Sequence, residues 1–257
     1  MPMSDVLELI AHRGASADAP ENTLAAAELA WRQGAAAVEG DFRLSRDGII
    51  VAAHDDRTLR TAGVDLAVAE QTLAELRRLD VGRWKGPDWA GQQIPTLEEL
   101  LAAMPPGKRF YVEIKCGPEF VEPLARAVRG RGLADGQIVA ICFSADLLAA
   151  VRRELPGVET FLIVEFVRDS ASGAWHPDVY ERLDAAAGRG LTGLDLMAAR
   201  ALDPELIPRI RAAGLDICVW TVDSPGEARR LIELGVRLIT TNRPGWLREQ
   251  LGGGSDR

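Results

Sequence analysis

The sequence predicts a single parallel (β/α)8 barrel, on three observations. Eight short apolar runs recur along the chain, each followed by a stretch of helical period or by a segment containing one. That alternation favours a parallel sheet with right-handed crossovers. The length, 257 residues, is close to the roughly 250 that eight such units need. An open doubly wound sheet is the runner-up. However, no G-x-G-x-x-G follows the first run and no G-x-x-x-x-G-K-[ST] occurs, so its common nucleotide-binding signatures are missing.

The elements follow in order. The first strand is 7–11, and a helix follows it with Asn22 as N-cap and Gly34 as stop. The second strand is 37–44. The third, 110–114, leads into a helix over 120–131, and the fourth, 138–142, into one over 146–155. Strand 160–164 precedes a helix over 177–188, and strand 193–196 one over 204–213. The last two strands, 216–220 and 238–241, precede helices over 225–234 and 245–251. Between the second and third strands lie about 65 residues, where about 30 suffice for a βαβ unit. There Ser45-Arg46-Asp47-Gly48 reads as a turn, because Asp-Gly supplies positive φ cheaply, and 49–53 as a returning strand. Residues from about 55 to 95 carry Gly63, Gly82, Gly86, Gly91, Trp84 and Trp89, and read as a small insertion over one end of the barrel. Residues 1–251 thus form one barrel domain, with 252–257 a flexible tail.

Composition narrows the function. Apolar residues at 47% and charged residues at 26% exclude a disordered or low-complexity chain. No apolar run approaches the roughly 20 residues of a membrane span. The net charge is −8, with no Lys/Arg block, which argues against a nucleic-acid partner. A phosphate-bearing small molecule remains compatible, since a local site can be positive. The three cysteines, Cys116, Cys142 and Cys218, read as free thiols, two of them buried. The first residues lack the basic and apolar regions of a secretory leader, so the expected compartment is the cytoplasm.

In parallel barrels the reactive groups stand at the carboxyl ends of the strands. The first strand ends in His12-Arg13-Gly14. The second carries Glu39 and Asp41, two apart and so on one face. The third carries Glu113 and Lys115, and the returning strand delivers His54-Asp55. Carboxylates turned into a barrel cost several kcal/mol unless compensated. A hard divalent cation such as Mg²⁺ or Ca²⁺, held by Glu39, Asp41 and Glu113, is one compensation. Ion pairing with Lys115, Arg13 or Arg43 is the other. His12 and His54 can serve as acid and base, or can be hydrogen-bonded strand-end histidines, while His176 reads as surface. Arg13 and Lys115 are candidates to hold an anion, and Trp220 a wall for substrate. Pro20-Glu21-Asn22-Thr23 reads first as a helix N-terminus.

The ordered set Ala11-His12-Arg13-Gly14, Pro20-Glu21-Asn22-Thr23, Glu39-x-Asp41, Asp47-Gly48, His54-Asp55, Pro95-Thr96-Leu97 and Glu113-x-Lys115 resembles the glycerophosphodiester phosphodiesterase family. Weaker matches follow at Phe143-Ser144, Trp220-Thr221-Val222 and Thr241-Asn242-Arg243-Pro244, so the resemblance covers nearly the whole chain. It implies a (β/α)8 barrel with an insertion after the second strand. It also implies a divalent metal on Glu39, Asp41 and Glu113, acid/base histidines at His12 and His54, and phosphate contacts from Arg13 and Lys115. The implied products are sn-glycerol 3-phosphate and an alcohol such as choline or ethanolamine. Three positions depart from the pattern: Gly40 where a bulky apolar residue is usual, Asp223 where W-T-V-N is frequent, and Asn242 where T-D is common. The alternatives are a lysophospholipase D or sphingomyelinase D-like activity with an acyl groove at Trp84 and Trp89, and a non-catalytic phosphodiester-binding barrel. A sugar-phosphate isomerase or aldolase would want a Gly-rich phosphate loop after the last strands, which is absent.

Overall fold

A computed structural model describes residues 6–199, 202 and 204–252. Its strands are β1 (Glu8–Ala11), β2 (Ala37–Leu44), β3 (Ile50–Ala52), β4 (Arg109–Ile114), β5 (Ile138–Cys142), β6 (Glu159–Val164), β7 (Val167–Arg168), β8 (Trp175–His176), β9 (Gly193–Met197), β10 (Asp216–Trp220) and β11 (Leu238–Thr241). Eight of them, β1, β2, β4, β5, β6, β9, β10 and β11, pair in parallel in chain order, and β1 bonds both β11 and β2 to close the barrel. The returning strand β3 lies antiparallel on the end of β2, with Phe42 opposite Ala52. The hairpin β7–β8 was not foreseen; it carries the exposed His176. The expected tail, apart from Gly252, lies outside the described residues, and Gly252 ends the last helix.

The helices are α1 (Leu24–Arg32), α2 (Leu59–Ala62), α3 (Leu73–Leu76), α4 (Leu97–Ala103), α5 (Val121–Arg129), α6 (Ala145–Glu154), α7 (Val179–Gly188), α8 (Leu206–Ala212), α9 (Pro225–Glu233) and α10 (Pro244–Gly252). Among the described residues, no helix is long and apolar enough to cross a membrane. The N-cap of α1 is Thr23, whose Oγ1 accepts from the Ala26 amide at 3.1 Å, and not the expected Asn22. Asn22 takes φ 56° and turns into the barrel mouth instead. Thr72 and Thr96 open α3 and α4 with reciprocal caps to Glu75 and Glu99. All three cysteines are free, Cys142 and Cys218 buried.

Strand alternation divides the apolar residues. On β4, Phe110, Val112 and Ile114 face the helix layer, while Tyr111 joins Ile10, Ala37, Phe161 and Cys218 inside the barrel. Tyr111 and Phe161 meet edge to face, their centroids 6.2 Å apart. This plug fills the lower interior, so inward residues nearer the strands' carboxyl ends form the floor of a cavity. The insertion has its own core of Val51, Val68, Leu76, Val81 and Ile94.

One glycine fixes the entry to the site. Gly14 has φ +82°, and a Cβ there would stand 2.5 Å from the Ala26 carbonyl carbon. Both the left-handed backbone and the contact oppose any side chain. Gly14→Ala is therefore expected to cost about 2 kcal/mol or more, read as a lower urea midpoint.

Candidate active site

The mouth of the barrel holds a cavity of about 360 Å³, within the usual range for small-molecule sites. Of the eight residues singled out from the sequence, His12, Arg13, Glu39, His54, Glu113, Lys115 and Trp220 line it. The eighth, Asp41, is wholly buried beside them.

The acids converge because of strand register. Asp41 on β2 stands opposite Glu113 on β4, and Glu39 follows two residues earlier on the same face. One carboxylate oxygen from each of Glu39, Asp41 and Glu113 falls within 4.8 Å of the others. Burial and the neighbouring acids push Glu39 well above the usual carboxylate range. The same causes, burial first and then Asp41, raise Glu113 to about 7. Asp41 goes the other way: burial would raise it, but Arg13, Lys115 and His54 outweigh that and hold it low.

The ion-pairing alternative is half realised. Arg13 Nε lies 3.1 Å from Asp41 Oδ2, and Lys115 Nζ 3.1 Å from Asp41 Oδ1 and in contact with Glu113 Oε1. Arg43 is not a partner; it donates to the backbone carbonyls of His54 and Lys115. Two cations thus face three buried carboxylates, and Glu39 Oε1 is left with no hydrogen-bond partner. A buried orphan carboxylate oxygen beside two more acids is a donor set suited to a hard divalent cation. The cluster can therefore bind a divalent metal.

Each histidine is held through Nδ1. His12 Nδ1 is 2.8 Å from Asn242 Oδ1. The amide of Asn242 donates from Nδ2 to Asp223 Oδ2 at 2.6 Å, and its backbone N–H donates to Asp223 Oδ1 at 2.8 Å. A carboxylate only accepts, so the amide oxygen must face His12, and His12 must donate from Nδ1. This leaves Nε2 as a lone pair. Burial and then Arg13 lower the His12 pKa, which favours that neutral form. His54 Nδ1 lies 2.7 Å from Asp55 Oδ1. Arg60 of α2 donates to Asp55 Oδ2 at 2.6 Å and forks onto Glu21, which accepts from Arg13 at 3.0 Å.

Several of these supports were missed at the sequence level. Asn22 donates to Asp41 Oδ2 at 2.8 Å and accepts from the Asp41 amide at 3.0 Å. Its left-handed φ, like that of Arg13 at 57°, belongs to the loop that aims the Arg13 amide at Glu39 Oε2, 2.9 Å away. Gly40 marks a close approach rather than a bulge: a Cβ there would meet Asn22 Oδ1 and the Phe42 ring at 3.3 Å. The two departures at Asp223 and Asn242 prove to be partners. Glu21 and Asp55 had only local readings, and Arg60 and Asp195, a fourth buried acid, had none.

A closed parallel barrel with acids and histidines at the carboxyl ends of its strands defines a (β/α)8 barrel enzyme. A model of the "Glycerophosphoryl diester phosphodiesterase family" matches residues 12–246. A glycerophosphodiester phosphodiesterase of Caldanaerobacter subterraneus subsp. tengcongensis is 32% identical over 242 residues, covering 92% of this chain and 94% of its own. One from Bacillus subtilis is 28% identical over 256 residues, covering 93% and 85%. Among solved structures, an Oleispira antarctica phosphodiesterase in complex with the product sn-glycerol-3-phosphate superposes with a TM-score of 0.83 at 29% identity, over 96% of this chain and 97% of that one. The chain belongs to the glycerophosphoryl diester phosphodiesterase family.

Proposed function

We propose that the protein hydrolyses glycerophosphodiesters, such as glycerophosphocholine or glycerophosphoethanolamine, to sn-glycerol 3-phosphate and an alcohol. The observation that carries this reading is the pairing of two imidazoles held through Nδ1 with a triad of converging carboxylates in one cavity. Glu39, Asp41 and Glu113 would hold the ion, Mg²⁺ or Ca²⁺. When bound, it supplies positive charge to the non-bridging phosphate oxygens. Arg13 and Lys115 add fixed positive charge at the same place, and Trp220 walls the substrate.

The different Nδ1 partners support different roles for the two histidines. His12, neutral and opposite an amide, takes the proton from the attacking hydroxyl at Nε2. His54, with a carboxylate on its Nδ1, gives a proton from Nε2 to the departing alcohol oxygen. Attack by the neighbouring 2-hydroxyl of the glycerol forms a cyclic phosphate and releases the alcohol. Water then opens the ring, with the two imidazoles exchanging roles. The intramolecular first step gains effective molarity.

The lysophospholipase D reading needs an apolar groove. Trp84 is exposed and Trp89 half-buried, and neither is among the residues that line the cavity. The test compares glycerophosphocholine with lysophosphatidylcholine in the presence of Mg²⁺ or Ca²⁺. Release of glycerol 3-phosphate should exceed choline release from the lipid by at least about tenfold, which corresponds to about 1.4 kcal/mol. Faster turnover of the lipid would reverse the assignment.

A further inference from the structure

We propose that Asp195, on the floor of the cavity, recognises a hydroxyl group of the substrate and so selects polyol-bearing diesters. This rests on the phosphodiesterase reading and names a part of the substrate which that reading leaves open. The described residues contain four buried carboxylates, Glu39, Asp41, Glu113 and Asp195. The first three belong to the acid cluster with its cations. Asp195 stands apart on β9, 3% exposed, and forms no ion pair among the described residues. The Cys218 thiol is in hydrogen-bonding contact with its carboxyl, but Oδ1 has no hydrogen-bond partner, and the residue lines the cavity.

The surroundings fit a hydroxylated carbon chain. Across the barrel wall Asp195 is in register with Ile163 on β6 and Cys218 on β10. Thr240 lines the same floor, its Oγ1 3.3 Å from Cys218 Sγ. Trp220 donates from Nε1 to the Asp195 carbonyl at 3.1 Å, which ties the indole wall to the same residue. The apolar wall and the free carboxyl oxygen together present one greasy face and one hydrogen-bonding point, the complement of a polyol. Burial raises the carboxyl to about 7, so it can donate as well as accept. A bound ammonium group would instead demand a fixed anion. A buried polar group without a partner destabilises the fold, and groups of that kind are retained where function uses them.

Asp195→Asn keeps one donor and one acceptor, whereas Asp195→Val removes both. The expected result with glycerophosphocholine and with glycerophosphoglycerol is a kcat/KM within about threefold of the parent for Asn and at least about tenfold lower for Val. Bis(p-nitrophenyl) phosphate has no hydroxyl and is cleaved only by direct attack of water on its activated ester, so its turnover should change less than about twofold with either variant. The thermal midpoint of the Val variant should equal or exceed that of the parent. Equal losses on all three diesters, or a lowered midpoint, would mean a structural role and overturn the proposal. Equal losses for Asn and Val on glycerophosphocholine alone would mean ammonium binding, and also overturn it. Failure of the underlying reading is visible separately, as a parent enzyme that cleaves bis(p-nitrophenyl) phosphate but neither glycerol diester; that result sinks both.

Discussion

His12→Ala and His54→Ala each lower kcat/KM for glycerophosphocholine by at least about 100-fold, the usual scale of general acid–base catalysis. The two variants should nevertheless part company when the leaving group changes. An alcohol such as choline departs poorly as an alkoxide, so the proton from His54 matters. A p-nitrophenolate departs without one. On the p-nitrophenyl ester of glycerol phosphate, His54→Ala should therefore recover most of its loss, while His12→Ala should remain as impaired as on glycerophosphocholine. The assignment follows from the chain Asp223–Asn242–His12, which leaves His12 Nε2 unprotonated, set against the carboxylate on His54 Nδ1. If His12→Ala is the variant relieved by the better leaving group, the roles are exchanged. Equal and small losses for both would remove the histidines from the chemistry.

How much of this could be read from the chain depends on the range of each interaction. The inward carboxylates were legible because strand periodicity is local: Glu39 and Asp41 must share a face, as must Tyr111 and Glu113. Barrel closure follows from the count of units, and closure brings β2 and β4 side by side. What could not be read is pairing between segments remote in sequence. Asn22 has the side chain of an N-cap and stands next to the helix, so local rules assign it there. Only the folded loop, with its left-handed φ, sends it to Asp41 instead. The departures at Asp223 and Asn242 are 19 residues apart, yet their side chains are hydrogen-bonded to each other. Arg60 reaches Glu21 across 39 residues, which gives the insertion the task of bracing His54 and Arg13. No spacing rule contains that contact. Trp84 and Trp89 misled for the converse reason. Their apolar size suggested a groove, but Trp84 is turned to bond the Val81 carbonyl within the insertion. Asp195 was within reach: in Gly193-Leu194-Asp195-Leu196 alternation sets the acid on the face opposite the two leucines, the face that turns into the barrel if the leucines meet the helices.

Removal of divalent metal should lower activity by at least about 1,000-fold, since a Lewis acid at a phosphoryl group contributes several kcal/mol and each 1.36 is tenfold. EDTA should abolish release of glycerol 3-phosphate, and excess Mg²⁺ or Ca²⁺ should restore it. Activity alone does not prove which residues bind the ion, so stability supplies the second readout. Without metal, three buried carboxylates crowd within 4.8 Å and Glu39 Oε1 has no partner. With its titration pushed well up, Glu39 destabilises the empty protein at neutral pH whether it ionises beside its neighbours or is held protonated, and an amide removes both costs. Glu39→Gln should thus melt higher than the metal-free parent while losing nearly all activity. The parent should gain stability with added metal, about 2.7 kcal/mol at one hundred times its dissociation constant, and the variant should gain little. Crowded charge in the empty protein is the same feature that makes the site bind a cation, so the two effects must appear together. A Glu39→Gln protein that melts lower than the metal-free parent, or that is still stabilised by metal as strongly as the parent, would place the ion elsewhere.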